Sequence, residues 1–383
     1  MEQRLIYLDN AATGFPKPQK VIEEIQEFMM YSGGNAGRGS HVLAMRAAEK
    51  VFECRNKLAQ LFDAEGAEQV CFTLNTTHGL NMCIKGLLKR GDHVLISDME
   101  HNAVYRPIYK LHAQGVVDYG IFPSMAGDSK RNANQICEGI AKLVRHNTRM
   151  LVCSGTSNIS SMTMPLAEIG RLCRRLGILF VVDGAQCAGH TPISMKNMHI
   201  DALCVPGHKG LLGPQGCGAV ILGKGISAQT LMEGGNGVDS LEGAMSYGSP
   251  ERYEAGTLPA PAIVGLSAGI DTLSSIGLDK IEAHERRLFR RARERLTLLE
   301  GVKIYTPQYE GSVLLFNVAG RGAEETARTL SEKGICVRGG YHCSALGHRT
   351  LGTADTGAVR ASFGPFNSSR DIDAFCDAVA EMI

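Results

Sequence analysis

A chain of 383 residues with 44% apolar and 21% charged content is long enough for a full-sized core and has the composition of an ordinary globular protein. Its 40 Lys and Arg against 39 Asp and Glu leave a formal net charge of +1, with no basic tail, which argues against nucleic acid or an anionic membrane as a partner. No apolar run approaches the length of a membrane span and the first residues lack the apolar centre of a signal peptide, so a cytoplasmic location is expected.

Residues 5–8 read as a short strand or extended arm, followed by Asp9-Asn10-Ala11-Ala12-Thr13 as a turn before a helix. In residues 16–31, Val21, Ile25, Phe28 and Met29 recur near a 3.6-residue period among glutamates, which predicts an amphipathic helix. The glycines of residues 33–39 demand a loop, since each would cost a helix about 1 kcal/mol. Ser40 is the expected N-cap of a long helix reaching Phe62.

Cys71-Phe72-Thr73 predicts a strand running into Asn75-Thr76-Thr77, where an apolar helical pattern resumes. A turn feeding a helix N-terminus presents N–H groups and a positive dipole end that suit a phosphate. Threonines serving only as caps would give the same sequence. His93 to Ser97 predicts another strand, ending at Asp98-Met99-Glu100-His101-Asn102. After a further αβ unit, Met150 to Ser154 leads into Thr156-Ser157-Asn158.

Two more apolar runs, Ile178 to Val182 and Ala202 to Val205, each stop at a polar, glycine-bearing turn, as buried parallel strands do. Asp183 stands at the first stop and Lys209 just past the second. The carboxyl ends of strands are where ligands bind in an open α/β sheet. The ligand that needs this pair is pyridoxal phosphate: its aldehyde condenses with a lysine amine, and its ring nitrogen needs a carboxylate to stay protonated. Taken singly, Asp-Gly is also an ordinary turn and Lys an ordinary loop residue. Residues 218–225 nearly spell a phosphate loop, but Gly stands where Ser or Thr is required, and no G-x-G-x-x-G is present, so a nucleotide site has little support.

Strands alternating with helices from about residue 66 to 225 argue an α/β fold with a mostly parallel sheet and helices on both faces. Residues 231–257, rich in Gly and Ser, are expected to wrap over the active site. Residues 263–299 predict a helix leading into a smaller α+β unit, with strands at 312–318 and 335–338 and helices at 323–333 and 369–382. The expected organisation is an N-terminal arm (1–20), a large α/β domain (21–262), and a connecting helix with a small C-terminal α+β domain (263–383).

Most of the twelve cysteines lie in apolar settings such as Val70-Cys71-Phe72, where a free thiol acts as a small hydrophobe. Neither C-x-x-C nor zinc-ligand spacing occurs, so no metal site is expected. Cys343 differs, sitting in Arg338-Gly339-Gly340-Tyr341-His342-Cys343-Ser344. A neighbouring His and a glycine-rich loop could support the thiolate that attack on sulfur requires.

Asp183-Gly184-Ala185-Gln186, Gly207-His208-Lys209 and Gly213-Pro214-x-Gly216-x-Gly218 resemble, in order and spacing, the fold-type I, class V aminotransferase family, and in particular its cysteine desulfurase and selenocysteine lyase branch. Matching segments run from Tyr7 almost to the C-terminus. The resemblance implies a seven-stranded type of sheet, with Lys209 carrying pyridoxal phosphate, Asp183 on the pyridine nitrogen, Gln186 on the phenolic oxygen and His208 on the phosphate. It also implies that Thr76 and Thr77 bind the phosphate, that His101 stacks on the ring and helps move protons, and that Asn158 lies near the cofactor oxygen and the substrate carboxylate. Arg360 would hold the substrate α-carboxylate, for which a bidentate guanidinium is suited, with Arg338 beside it. Cys343 would become the persulfide.

Arg252-Tyr253-Glu254-Ala255-Gly256-Thr257 resembles a family signature whose threonine reaches the phosphate of the neighbouring subunit, which implies a homodimer. The substrate implied is L-cysteine or L-selenocysteine, with a sulfur-acceptor protein as a further partner. Selenocysteine lyase, C–S β-lyase and aminotransferase activities remain the alternatives. Pro206 stands where many desulfurases have Ser or Thr, Tyr341 where His is frequent, and Ser344-Ala345 departs from the usual continuation.

Overall fold

The computed structural model describes residues 5–37, 39–126 and 129–383; Arg38, in the expected glycine loop, lies outside the described residues. In chain order, β1 (Ile6–Tyr7) precedes α1 (Gln19–Tyr31) and α2 (Val42–Leu61). Then come β2 (Val70–Thr73), α3 (Thr76–Leu87), β3 (Asp92–Ser97), α4 (Asn102–Ala113), β4 (Val117–Phe122), β5 (Met125–Ala126) and β6 (Ser129–Lys130). They are followed by α5 (Ala133–Leu143), β7 (Thr148–Ser154), α6 (Leu166–Leu176), β8 (Leu179–Asp183), β9 (Ala202–Pro206) and β10 (Gly218–Leu222). The remainder is α7 (Ala260–Ile276), α8 (Leu278–Thr297), β11 (Val302–Tyr305), β12 (Val313–Val318), α9 (Ala323–Glu332), β13 (Ile335–Cys336), β14 (Arg338–Gly340), α10 (Ala345–Thr350), β15 (Ala358–Ser362) and α11 (Ser369–Ala380).

The main sheet has seven strands in the order β2-β10-β9-β8-β7-β3-β4. All neighbours run parallel except β10, which is antiparallel to both β9 and β2. Successive side chains of a strand point to opposite faces. Phe180 and Val182 therefore pack on one side with helices α2, α6 and α7, while Val181 and Cys204 pack on the other with α3 and α4. Helices thus cover both faces, as the alternating pattern predicts.

The second sheet, β11-β12-β15-β14, is antiparallel and packs against α8, α9 and α11. Ile6 and Tyr7 of β1 pair with Ile335 and Cys336 of β13, so the N-terminal segment is fastened to this smaller unit.

Several local expectations change. Helix α1 starts at Gln19, after Pro18. Helix α2 is capped not by Ser40 but by His41, whose Nδ1 accepts the Ala44 N–H at 3.3 Å. The strand expected at 335–338 is two pieces, β13 and β14, each in a different sheet.

The single connecting helix expected over 263–299 is two helices whose axes bend by 79° at Gly277. Gly277 has φ +93°, outside the right-handed helical region, and glycine alone enters that region without a Cβ penalty. Helix α7 packs on α1 and α2 against the main sheet, whereas α8 packs on α11. No single helix among the described residues is long and apolar enough to cross a membrane.

Candidate active site

The carboxyl ends of four neighbouring strands converge on one cleft. Strand β8 ends at Asp183, whose register partner on β7 is Ser154, also a strand end. Strand β9 ends at Pro206, and the chain turns through Gly207 and His208 to Lys209. Helix α3 begins at Thr76 behind the cap Asn75, and His101 caps α4. The cleft is lined by Thr76, Thr77, His101, Asn158, Asp183, Gln186, His208 and Lys209. Sites scattered over more than 130 residues of sequence are one wall-to-wall set. Pro206 lines the cleft as well, so its ring replaces any hydroxyl at that point.

Burial sets the chemistry of the central pair. It pulls the Lys209 amine down to about 8; Asp183 opposes this, and Arg360 and Arg338 reinforce it. At that value a substantial fraction of the amine is free base near neutrality, as a nucleophilic lysine requires. Burial pushes the Asp183 carboxyl up from the ordinary range, against the Ala185 N–H, which its Oδ1 accepts at 2.9 Å, and against Lys209. A cationic partner placed on this carboxylate would offset the desolvation that raises it.

Two histidines are held neutral. Burial, then the positive charges of Lys209, Arg360 and Arg106, bring His101 down to about 4. Its Nδ1 accepts the Ala103 N–H at 3.0 Å, so the neutral ring carries its proton on Nε2. His208 falls to about 4 through burial, Lys209 and Lys17. The His208 carbonyl accepts from Gly14 N–H at 2.9 Å, Thr13 Oγ1 at 3.1 Å and Lys17 Nζ at 2.7 Å, which pins the turn before Lys209.

A buried polar atom without a partner usually has one in the functional state. Within the lining, Thr76 Oγ1 and His208 Nδ1 are such atoms. Thr76 lies in the first turn of the twelve-residue helix α3, where free N–H groups already favour an anion. An amine, a carboxylate and an anion pocket with unmet hydrogen bonds fit a group bearing an aldehyde, a basic ring nitrogen and a phosphate. Gln186 Nε2 donates to the Ala11 carbonyl at 2.9 Å, which orients the side chain at the cleft wall.

Of the residues expected to act on the substrate, Asn158, His101 and Lys209 line the cleft, whereas Arg360, Arg338 and Cys343 lie beside this lining. Arg360, on β15, is 3% exposed and donates through Nη1 to the Asn158 carbonyl at 3.1 Å. Cys343 is exposed, and its carbonyl accepts the N–H of Asn102, the residue after His101, at 2.7 Å. Asn158 Nδ2 donates to the His342 carbonyl at 2.8 Å. His342 does not serve the thiol, because Nε2 bonds the Arg338 carbonyl at 3.1 Å and Nδ1 faces His348 Nε2 at 3.3 Å. His342 and Cys343 both have positive φ, +49° and +55°, so the loop arches through left-handed backbone at the cysteine.

Thr257 is not brought to the Lys209 cleft. It lines a separate cavity with Arg55, Glu254 and Asn236. The reason is a buried ion pair: Arg55 donates to both Glu254 oxygens, at 2.8 and 2.5 Å, and Phe72 N–H donates to Glu254 Oε1 at 2.6 Å. This pins the end of the 231–257 segment beside β2 and α2, away from the Lys209 cleft of its own chain.

Two site residues escaped the sequence reading. Asp9 bridges the two arginines, its Oδ1 accepting Arg360 Nη2 at 2.7 Å and its Oδ2 accepting Arg338 Nη2 at 2.9 Å. Glu100 is fully buried under the cleft floor, bonded to Ser97 Oγ, and its Oε2 accepts Ser154 Oγ at 2.9 Å. Burial raises its carboxyl to about 7. A charged residue amid a strand-end loop reads as solvated, and only its bonds to the ends of β3 and β7 make it otherwise.

The family described as Aminotransferase class-V matches residues 6–375. A protein named probable cysteine desulfurase from Methanothermobacter thermautotrophicus is 31% identical over 98% of this chain and 94% of its own length. Another of the same description, from Pyrococcus abyssi, is 32% identical over 100% of this chain and 95% of its own length. The apo structure of a cysteine desulfurase from Thermococcus onnurineus superposes with a TM-score of 0.90 at 30% identity, covering 99% of this chain and 94% of that one.

Proposed function

The chain belongs to the class-V aminotransferase family, and on that premise we propose that it is a pyridoxal-phosphate-dependent cysteine desulfurase, releasing L-alanine from L-cysteine and leaving the sulfur on Cys343. The observation that carries this reading is the buried Lys209–Asp183 pair in one cleft, with the Cys343 loop bonded to Asn158 at its edge. Lys209 would hold the cofactor aldehyde, Asp183 its ring nitrogen, Gln186 its phenolic oxygen, and Thr76, Thr77 and His208 its phosphate. Bound there, pyridoxal phosphate supplies an electron sink next to the substrate Cα.

The chain's own groups then divide the work. Arg360 binds the substrate α-carboxylate and so orients Cα, with Asn158 and Arg338 beside it. Lys209, whose amine burial draws down to about 8 so that part of it is free base near neutrality, takes the Cα proton and later returns protons to the carbon skeleton. His101 offers its ring face and Nε2–H; burial and then the charges of Lys209, Arg360 and Arg106 keep it neutral, with Nδ1 accepting the Ala103 N–H, so it does not compete with Lys209 for the proton. The Cys343 thiolate attacks the substrate sulfur, the C–S bond breaks with its electron pair going to carbon, and protonation of that carbon gives alanine. An acceptor protein or a thiol would then remove the sulfur from the exposed Cys343.

We assign Thr257 to the cleft of a second copy in a homodimer, which its place in a separate cavity of its own chain supports. A fully active monomer in sedimentation would remove that assignment.

Product identity tests the function. The cofactor-loaded protein is incubated with L-cysteine and a reductant, and alanine, pyruvate and sulfide are quantified against Lys209→Ala. Alanine equal to sulfide is expected. Pyruvate with sulfide would mean β-elimination, and turnover of L-selenocysteine alone would move the assignment to C–Se cleavage.

A further inference from the structure

Strands β14 and β15 place Arg338 directly opposite Arg360 in an antiparallel ladder, an arrangement of like charges that is unfavourable unless an anion lies between them. Asp9 supplies it, with Oδ1 on Arg360 Nη2 at 2.7 Å and Oδ2 on Arg338 Nη2 and Nε at 2.9 and 3.1 Å. The guanidinium of Arg360 is sealed: its side chain is 4% exposed, Nη1 is on the Asn158 carbonyl, and Nε is buried with no partner among the described residues. Arg338 differs, with a side chain 51% exposed.

From this we propose that Asp9 is a displaceable latch on Arg360, holding the guanidinium in the resting enzyme and ceding it to the incoming substrate α-carboxylate while staying on Arg338. The inference rests on the assignment of Arg360 to that carboxylate. A carboxylate seated bidentately on Nε and Nη2 satisfies the orphaned Nε and competes with Asp9 at Nη2. Of the described groups bonded to Arg360, Asp9 has the chemistry of the incoming group and a second cation to retreat to, whereas the other is the Asn158 carbonyl. The exchange conserves charge at Arg360, one carboxylate leaving as another arrives. With Asp9 in place the arginine pair carries one uncompensated positive charge, which the substrate neutralises.

The latch is also joined to the cofactor side of the cleft. Two residues after Asp9, the Ala11 carbonyl takes the Gln186 amide at 2.9 Å, and Thr13 Oγ1 and Gly14 N–H donate to the His208 carbonyl at 3.1 and 2.9 Å. Substrate arrival at Arg360 is therefore felt at Gln186 and His208 through five residues of chain, which makes Asp9 a positioning residue as well as a competitor.

The test uses the loaded enzyme and two probes that differ only in the carboxylate, L-alanine and L-alaninamide, titrated by the change in absorbance of the bound cofactor. Wild-type enzyme is expected to favour L-alanine, and Asp9→Asn to bind L-alanine about fivefold or more tighter while its L-alaninamide affinity stays within about twofold, because a carboxamide competes more weakly for a guanidinium. A wild-type enzyme with no preference for L-alanine would refute the Arg360 assignment itself. A preference that Asp9→Asn leaves unchanged or weakens would refute the latch. Should Asp9→Asn fail to retain the cofactor band, hydrogen exchange on the wild-type enzyme decides: amides of Asn10 to Gly14 are expected to exchange faster with saturating L-alanine, and unchanged or slower exchange overturns the proposal.

Discussion

The Asn158 side-chain amide donates to the His342 carbonyl at 2.8 Å, so the loop that ends in Cys343 is fastened to a residue lining the Lys209 cleft. A second bond, Asn102 N–H to the Cys343 carbonyl at 2.7 Å, fastens the same loop to the start of α4. The thiol is exposed while its backbone is fixed, the arrangement suited to a group that must reach a bound substrate and later hand its cargo outward.

Replacing that thiol separates chemistry from cofactor binding. Cys343→Ala is expected to lower L-cysteine turnover by about 100-fold or more with the cofactor absorbance band unchanged, because the side chain lies outside the cofactor cleft. Steady-state alanine release and a spectrum of the same sample check it. Undiminished turnover would remove Cys343 from the reaction.

Loading of the cofactor should report the depressed Lys209 amine. Burial places it at about 8, so the reactive free base grows about tenfold per pH unit below that point and levels off above it. The rate of pyridoxal phosphate capture by cofactor-free protein, followed by absorbance from pH 6 to 9.5, is expected to bend near the same value. A rate still rising tenfold per unit at the upper end would mean an ordinary, solvated lysine.

Glu100 should make stability fall as pH rises. Its carboxyl stands at about 7 in the folded protein against an ordinary 4.5, chiefly through burial. Between those values the folded form holds a proton that the unfolded chain has lost, so the contribution is full below 4.5 and is lost as pH rises through 7. Glu100→Gln lacks this loss. Its stability relative to wild type should therefore rise by about 3 kcal/mol between pH 4.5 and 7.5, measured as urea unfolding of the cofactor-free proteins.

The Arg55–Glu254 pair is buried on both sides, with side-chain exposures of 8% and 6%. Arg55→Ala strands a carboxylate in the core and should cost about 3–5 kcal/mol in denaturant unfolding, whereas replacing both residues by apolar ones of similar volume should recover much of it. The pair also holds the segment ending at Thr257, so activity of the single variant should fall further than its folded fraction does.

At Gly189 the backbone has φ +84°, and an added Cβ would stand 2.2 Å from the carbonyl of Gly210, the residue after Lys209. Gly189→Ala is expected to cost about 2 kcal/mol or more and to displace the Lys209 turn, seen as weaker cofactor retention on dialysis. Normal retention would show that the turn accommodates the methyl group.

Much of this was legible from residues 178–218 alone. Runs such as Leu179-Phe180-Val181-Val182 and Leu203-Cys204-Val205 are apolar without alternation, which marks strands covered on both faces, and the turns after them placed Asp183 and Lys209 at one sheet edge. The turn feeding α3 likewise pointed to an anion site at Thr76. These signals are local, because strand propensity, helix period and turn chemistry act within a window of a few residues.

Only the tertiary structure decided the rest. Asp9 meets Arg338 and Arg360 across 329 and 351 residues, and no period or motif announces a pairing of that length. Glu100 reads as a solvated loop residue until the ends of β3 and β7 bond to it, Gly277 bends what the pattern continues as one helix, and Glu254 pairs with Arg55 in the cavity that Thr257 also lines. Each of these depends on which charges lose their water and which partner then satisfies them, an outcome set by packing across the whole chain rather than by its neighbours in sequence.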